Sequence, residues 1–327
     1  MTVDGLMIGT LFPATIDRFR ADLISLTGPL SPDEHIAVAV SGGPDSLALL
    51  LLAHAAFPGR VQAATVDHGL RPESAGEARF VAGIAAQLGV PHATLKAEWP
   101  NGPPHAAIQE SAREARYAAL LKWCAETRAA MLLTGHHADD QAETLLMRLG
   151  RGAGLAGLTG IRPVRGAGCR IVRPLLGWRA DELAMLCRKA GLAPIDDPSN
   201  ADPRHERSRV RKLLRASDAL DSVKLAQSAD HLFEAEEAMQ WIASEAVRSR
   251  AEIGANRISF DAGGLPREIK RRALALLLGR FGAEPRGSAL DWAMIQLEKG
   301  RATTLSGLRL SPGTRWTVTR APPRRGN

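Results

Sequence analysis

Two polar segments in the first half of this 327-residue chain hold the residue types best suited to chemistry. The first, Ser41-Gly-Gly-Pro-Asp-Ser46, follows the apolar run 35–40 and precedes a second apolar stretch. Its glycines let the backbone approach an anion, and the amides of a following helix can donate hydrogen bonds to phosphate oxygens. No Gly-Lys-Ser/Thr follows, so the segment is not a Walker A loop, and it is better suited to hold pyrophosphate. Asp45 is unexpected in an anion site unless it serves a metal or a nucleotide.

The second segment contains two adjacent histidines and two adjacent aspartates, in the run Thr134-Gly-His-His-Ala-Asp-Asp-Gln-Ala-Glu-Thr144. His136 and Asp140 are four residues apart, which places them on one side of a helix start. Carboxylates at that position can hold Mg²⁺ through a few oxygens while the metal keeps waters and ATP phosphates. Capping of the helix by aspartate is the simpler alternative, worth about 0.3–1 kcal/mol. Because four such side chains exceed what capping needs, we predict Asp140 and Asp139 as metal ligands.

Short apolar runs alternate with helical patterns through the first 200 residues. This alternation predicts parallel βαβ units with helices on both faces of the sheet, an α/β fold. Ligands bind at the carboxyl ends of such strands, where both polar segments begin. The segment 150–160 contains five glycines in eleven residues, and we expect a mobile loop too glycine-dense for a helix. The predicted strands are 35–40, 61–66, 92–96, 131–134 and 169–174, and the predicted helices are 46–56, 74–88, 108–127, 138–149 and 179–190.

The last part of the chain has a different pattern and a different charge. Residues 1–200 contain 19 Lys and Arg against 20 Asp and Glu, whereas residues 201–327 contain 23 against 15. The whole excess of positive charge therefore lies in the last part, which favours contact with a polyanion; a solvated basic surface is the alternative. The basic run 207–215 predicts a helix on which Arg207 and Arg211 share one face. We place a domain boundary near Arg215. The predicted helices beyond it are 221–250, 266–279 and 288–299, with short β-like runs at 303–310 and 314–319.

Composition and cysteine usage exclude several classes of protein. Hydrophobic residues make up 45% and charged residues 24%, which rules out wholesale disorder. Cys124, Cys169 and Cys187 form no CxxC, which argues against a disulfide framework, a zinc knuckle or a cysteine-ligated cluster. The longest apolar run, 47–53, is far below the roughly 20 residues of a membrane span, and no signal-peptide pattern is present. We expect a cytoplasmic protein without a membrane partner and leave open whether it forms a homodimer.

The first polar segment resembles the SGGxDS signature of the PP-loop ATP pyrophosphatases. Enzymes of this superfamily adenylate an oxygen atom, release pyrophosphate and let a nucleophile displace AMP. Further segments, in order along about 38–214, resemble the tRNA(Ile)-lysidine synthases within that superfamily. These segments are VDHGL at 66–70, QESAREARY at 109–117, TGHHADDQAET at 134–144 and IDDPSN at 195–200.

The resemblance implies a reaction, its cofactors and its partners. The wobble cytidine of a tRNA(Ile) with a CAU anticodon would be adenylated by ATP with Mg²⁺, and free L-lysine would then displace AMP to give lysidine. The implied architecture is a PP-loop (Rossmann-like) catalytic domain at 1–215 and a smaller, basic, mainly helical tRNA-binding domain at 216–327. The implied catalytic residues are Asp45, His136, Asp140, Asn200 and Arg211, with Arg207 as a third candidate beside the last two; the implied nucleotide-binding residues are Ser41, Gly42, Gly43, Pro44, Asp45, Ser46, Asp67, His68 and Arg113.

Two other functions compete with this interpretation. A tRNA thiolase of the same superfamily would need paired cysteines, and the three cysteines are widely spaced in the sequence. A non-catalytic tRNA-binding protein on a degenerate nucleotide fold would be expected to lose Asp45 or the His-His-x-Asp-Asp set, and both are intact.

The lysine-free SGGPDS loop predicts that ATP is converted to AMP and pyrophosphate without formation of ADP. Chromatography of the nucleotides after incubation with tRNA and lysine measures this, with a reaction lacking tRNA as the control. ADP as the main product would contradict the PP-loop interpretation.

Overall fold

The computed structural model describes residues 12–70, 73–99, 102, 108–166, 168–195, 206–285 and 287–321. The chain forms two compact units, Met1–Phe233 and Glu234–Asn327. The sequence placed the boundary near Arg215, whereas the units divide inside a long helix. Asp221, just before this helix, forms an ion pair with Arg179 in the first unit, so the start of the helix belongs to that unit.

A six-stranded sheet forms the centre of the first unit, with strand order β3-β2-β1-β4-β6-β5. Strands β1 to β4 and β6 are parallel, and the edge strand β5 pairs with β6 in the antiparallel direction. The five predicted strands are confirmed to within a few residues, and β5 was missed because two residues carry no periodicity. The strands are β1 (Ile36–Ala39), β2 (Val61–Asp67), β3 (His92–Lys96), β4 (Met131–Leu133), β5 (Val164–Arg165) and β6 (Arg170–Val172).

Helices cover both faces of this sheet, which confirms the α/β class. On one face α2 is buried almost all round, because α1 and α7 pack on its outer side. On the other face Leu120 and Trp123 of α4 pack against the strands. The sequence did not predict α1, whose Phe19 and Leu23 are fully buried. The helices are α1 (Pro13–Thr27), α2 (Pro44–Ala56), α3 (Ser74–Gln87), α4 (Ile108–Glu126), α5 (Ala138–Gly150), α6 (Leu155–Leu158), α7 (Ala180–Lys189) and α8 (Glu206–Ala216).

The glycine-rich segment after α5 contains the helical turn α6, so the expectation that it is too glycine-dense for a helix is wrong. Arg148 Nη1 donates hydrogen bonds to the carbonyls of Gly157 (2.6 Å) and Gly160 (2.8 Å). The Gln141 amide accepts from the Ile161 N–H at 2.5 Å and donates to the Ile161 carbonyl at 3.2 Å. Side chains of α5 thus satisfy backbone groups of the segment, which local glycine content does not reveal.

The second unit combines helices with an antiparallel five-stranded sheet of order β7-β8-β11-β10-β9. Its core is formed by α10, α11 and the sheet, with Phe260, Leu274 and Met294 fully buried. Strands β7 and β8 were missed because they follow directly on a long helix. None of the described helices is both long and apolar enough to cross a membrane. The elements are α9 (Ser222–Arg250, shared with the first unit), β7 (Ala251–Ile253), β8 (Arg257–Phe260), α10 (Arg267–Gly279), α11 (Gly287–Glu298), β9 (Thr303–Leu305), β10 (Leu308–Ser311) and β11 (Trp316–Arg320).

A buried ion pair ties α10 to the last part of α9. Arg272 is 6% exposed, and its Nη1 and Nη2 each donate to Glu236 at 2.6 Å. Its Nε also donates to Glu268 at 2.8 Å. The guanidinium therefore has two carboxylate partners, and the bidentate geometry is the strongest that arginine forms.

Replacement of Arg272 by glutamine should lower the free energy of unfolding by about 3 kcal/mol, because Glu236 would stay buried without its counter-ion. Arg271 pairs with Glu268 at a more exposed position on the same helix, so Arg271→Gln should cost no more than about 1 kcal/mol. Chemical denaturation of both variants measures the difference. Equal losses would show that burial does not strengthen the Arg272 pair.

Candidate active site

The loop 41–43 connects β1 to α2 in a conformation that only glycine adopts easily. Gly42 has φ of +90°, and a Cβ atom there would lie 2.7 Å from Ile195 Cδ1. Its carbonyl accepts a hydrogen bond from the Ile195 N–H at 2.9 Å, so the loop is held against a second chain segment. Pro44 occupies the first turn of α2, where a missing N–H costs nothing. The predicted phosphate loop thus stands at the carboxyl edge of the sheet.

The two serines of this loop bond to each other and to the backbone. Ser46 Oγ accepts from the Ser41 N–H at 3.1 Å, donates to the Gly43 carbonyl at 3.0 Å and lies 3.2 Å from Ser41 Oγ. These bonds fix the curvature of the loop. The first turn of a helix leaves its N–H groups without intrahelical acceptors, so the amides of Asp45 and Ser46 are directed toward any anion placed above the loop.

The turn between β4 and α5 touches this loop through Gly135. A Cβ atom at Gly135 would lie 3.0 Å from the carbonyl carbon and oxygen of Asp45 and 3.1 Å from the Ser46 nitrogen. This distance leaves no room for a side chain. The close approach brings the His-His-x-Asp-Asp segment beside the phosphate loop, as the sequence predicted from their common position after parallel strands.

His137 lies between three carboxylates that come from both segments. Its Nε2 is 3.5 Å from an oxygen of Asp45 and 3.5 Å from an oxygen of Asp140, and its Nδ1 is 3.5 Å from Asp139. The side chain is 6% exposed. Burial alone would lower the pKa of His137, but the nearby carboxylates of Asp139, Asp45 and Asp140 outweigh it and raise the pKa to about 10. The imidazole is therefore a cation at neutral pH.

His136, in contrast, is uncharged at neutral pH. Its Nδ1 lies 3.0 Å from Thr134 Oγ1. Burial lowers the pKa of His136 to about 3; the nearby carboxylate of Asp140 opposes this shift, while the cations Arg173 and Arg113 add to it. The neutral ring can make hydrogen bonds to a substrate and is a poor proton acceptor. The sequence singled out His136, whereas His137 is the residue that contacts Asp45; only its place in the motif pointed to it.

Glu143 is a second site residue that was not selected from the sequence. Its side chain is 1% exposed. It accepts from Arg207 Nε at 2.7 Å and from Arg211 Nε at 2.6 Å. Arg207 Nη2 is also 3.4 Å from Asp140 Oδ1. The prediction that Arg207 and Arg211 share one face of a helix is confirmed. The charges of Arg207, Arg211 and Glu143 sum to one positive charge beside Asp140.

The carboxylate of Asp139 is turned away from Asp140 toward the next helix. It accepts from the Ala180 N–H at the start of α7, at 2.9 Å. Asp140, in contrast, lies between His137 and Arg207. Burial alone would raise the pKa of Asp140, but the charges of His137 and Arg207 outweigh burial and lower it. Within the described ranges no three metal-ligating side chains form a cluster. The predicted metal role of Asp139 and Asp140 stays a prediction.

Asp67 and His68 end β2, beside the strand that carries the phosphate loop. Asp67 Oδ1 accepts from Ser74 Oγ at 2.6 Å and from the Gly69 N–H at 2.9 Å, and these bonds lower the pKa of Asp67. The His68 carbonyl accepts from Trp99 Nε1 at 3.0 Å. Asp67 therefore shapes the turn before α3, and its predicted contact with nucleotide stays a prediction.

Arg113 and Asn200 complete the predicted set. Arg113 is exposed on α4, with its guanidinium 5.2 Å from the centre of the Tyr117 ring, and its charge acts on His136. The structure thus brings Arg113 to the same edge of the sheet as His136. Asn200 lies outside the described residues.

Comparisons with known proteins agree with this geometry. The PP-loop domain family matches residues 15–217, so the first unit is a PP-loop ATP-binding domain. A U34-tRNA thiolase, NcsA from Methanococcus maripaludis, has a similar fold, with a TM-score of 0.56 and 18% identity over 67% of this chain and 79% of that chain.

Two curated relatives narrow the class further. The chain is 43% identical over 326 residues to the tRNA(Ile)-lysidine synthase of Novosphingobium aromaticivorans, which covers 98% of both chains. It is 42% identical over 311 residues to the tRNA(Ile)-lysidine synthase of Zymomonas mobilis, which covers 92% of both chains. The chain belongs to the tRNA(Ile)-lysidine synthase family, ATP-dependent ligases that modify tRNA. The family resemblance seen in the sequence is confirmed.

Glu143→Gln should release both arginines and leave their charges unpaired. We expect a loss of about 1–3 kcal/mol in the free energy of unfolding, less than for a fully buried pair because both arginines are partly exposed. Turnover should fall at least tenfold, because Arg207 would no longer be held beside Asp140. The control is Arg151→Gln, which removes an exposed ion pair with Glu206 at the same α5–α8 contact. Similar denaturation midpoints and rates for both variants would contradict a structural role of Glu143.

Proposed function

We propose that this protein joins L-lysine to the 2-carbon of the wobble cytidine in a tRNA(Ile) with a CAU anticodon, and splits ATP to AMP and pyrophosphate. The observation that carries the proposal is the contact between Gly135 and Asp45. It puts the phosphate loop and the histidine–aspartate segment on one site, as two consecutive steps on one ribonucleotide require. The family membership supports the choice of substrates.

In the first step, the 2-oxo oxygen of cytidine forms a bond to the α-phosphorus of ATP, and the bond from that phosphorus to the β-phosphate bridge oxygen breaks. The leaving pyrophosphate carries the developing negative charge. The amides of Asp45 and Ser46 at the start of α2 are already oriented by the serine hydrogen bonds, so they can stabilise this charge without reorganisation. The glycines at 42 and 43 let the phosphates approach the backbone.

The site residues fit a magnesium ion bound through one or two carboxylates. Mg²⁺ in nucleotide sites usually keeps waters and phosphate oxygens and takes few protein ligands. Asp140 and Asp45 both reach His137 Nε2, so their oxygens converge on one place. We propose Asp140 as the principal ligand; Asp139, the second ligand predicted from the sequence, would reach the same ion only by turning away from the Ala180 N–H. When bound, magnesium neutralises the phosphate charge as pyrophosphate leaves.

In the second step, the ε-amine of lysine attacks the activated carbon, and the carbon–oxygen bond to AMP breaks. The amine is mostly protonated at neutral pH and must lose a proton before it can attack. His137 is already a cation and His136 is a poor acceptor, so the proton passes to solvent water, and Asp140 is the group best placed to hold the ammonium ion before that transfer. Arg207, Arg211 and Glu143 together carry one net positive charge. The two guanidinium groups therefore suit the carboxylate of the amino acid. Asn200 stays a candidate for the same site.

The basic last part of the chain supports binding of the RNA. Residues 201–327 carry all of the positive excess. We propose that they contact tRNA phosphates outside the anticodon, which would make the affinity depend on salt through counter-ion release. We propose that the reaction takes place in the cytoplasm, where a tRNA substrate is found.

Mass spectrometry of nucleosides from tRNA(Ile) incubated with the protein, ATP and lysine tests the proposed reaction. We expect lysidine in place of one cytidine, and no change in a tRNA of another anticodon. Asp140→Asn should lower turnover at least tenfold, equivalent to about 1.4 kcal/mol in the barrier, without unfolding the protein. Asp181→Asn, in the first turn of α7, is the matched control. Unmodified tRNA with continued release of AMP would contradict lysine as the nucleophile.

A further inference from the structure

Arg173 is a buried cation at the carboxyl end of β6, and none of the roles described above uses it. It is 3% exposed, less than His137 at 6%. Its Nη1 donates to the Arg162 carbonyl at 2.5 Å, and Tyr117 lies near enough to the guanidinium to raise the pKa of Arg173. Its Nε has no hydrogen-bond partner among the described residues. A strong donor is therefore buried and unused.

The charges around Arg173 make this arrangement unfavourable in the free protein. Besides burial, which lowers the pKa of Arg173 most, the cations Arg113 and Arg165 lower it further. Across the described parts of the chain, no carboxylate forms an ion pair with Arg173. Arg272, the other buried arginine described, has two carboxylate partners. Because a buried charge without a counter-ion costs several kcal/mol, Arg173 is arranged for an anion that arrives from solution.

The strand order locates this anion relative to the phosphate loop. In the sheet β4 lies between β1 and β6. Neighbouring strands are about 4.8 Å apart, so Arg173 lies about 10 Å from the end of β1, where the phosphate loop begins. His136, at the end of β4, lies between the two places, and the charge of Arg173 acts on it. An anion bound at Arg173 and the phosphates of ATP would therefore lie on opposite sides of His136.

We propose that Arg173, with Tyr117 and Arg113, forms a second phosphate subsite, and that it holds a backbone phosphodiester of the RNA beside the reacting nucleotide. Guanidinium groups are suited to phosphate oxygens because they donate several directed hydrogen bonds. Arg113 is exposed and can approach the same phosphate from outside. This inference rests on the proposed modification of tRNA, and it adds a residue that positions the RNA backbone.

The test compares Arg173→Gln with Arg170→Gln, a variant three residues earlier on the same strand whose guanidinium bonds to the Thr27 carbonyl. We expect Arg173→Gln to weaken tRNA binding at least tenfold in a filter assay without ATP and lysine, and to reduce the salt slope by about one. The KM for ATP should stay within about twofold of the wild-type value. Arg170→Gln should change neither quantity. Arg173→Lys should recover part of the affinity, because it keeps the charge without the fork of donors.

Thermal denaturation separates this function from a purely structural role. Removal of an unpaired buried cation should leave the Tm of the free protein unchanged or raise it, whereas a structural arginine would lower the Tm, as expected for Arg272→Gln. If the KM for ATP rises and tRNA binding does not change, the phosphate belongs to ATP and the RNA assignment is wrong. A lowered Tm with unchanged tRNA affinity would also overturn it. Lysidine formation by the wild-type protein tests the proposed reaction separately, since the binding assay needs no catalysis.

Discussion

The cationic imidazole of His137 is the interaction on which the site depends. Asp45 comes from the phosphate loop, and Asp139 and Asp140 come from the first turn of α5, so three negative charges are gathered in a place with little water. Without a cation between them, these carboxylates would repel one another or take up protons. The pKa of about 10 for His137 keeps the ring charged at neutral pH, and this charge helps to lower the pKa of Asp139 and of Asp140. The same imidazole links the two loops that the reaction must use together.

Buried charges elsewhere in the protein show how they are compensated. Glu143 is shared by two arginines, and Arg272 by two glutamates, so each buried ion has partners that fill its hydrogen-bonding positions. Arg173 departs from this pattern, because among the described residues its guanidinium donates to one backbone carbonyl and has two cations near it. A site that binds two phosphate-bearing substrates has a physical use for such a charge, because the substrate supplies the missing anion.

The fold serves this chemistry by bringing together the carboxyl ends of its parallel strands. The phosphate loop follows β1, the histidine–aspartate segment follows β4 and Arg173 follows β6, and these strands are neighbours in the sheet. In the proposed reaction, successive positions along one edge would contact the pyrophosphate, the reacting group and the RNA backbone in turn. Side chains of α5 connect this edge to α8. Asp139 and Asp140 in its first turn lie beside His137, and Glu143 in its next turn pairs with the arginines of α8.

The sequence alone determined the α/β class, the five parallel strands and the two polar segments, because apolar periodicity and glycine spacing are local properties of the chain. It also located Arg207 and Arg211 on one helical face, since their spacing of four fixes that relation. Strands β5, β7 and β8 and the turn α6 escaped it, because two to four residues are stabilised by partners distant in the chain. The charge of His137, the shared use of Glu143 and the isolation of Arg173 were decided only by the tertiary structure. Each depends on which charges are brought near a buried group, and that distance is set by the packing of the loops and helices around the sheet.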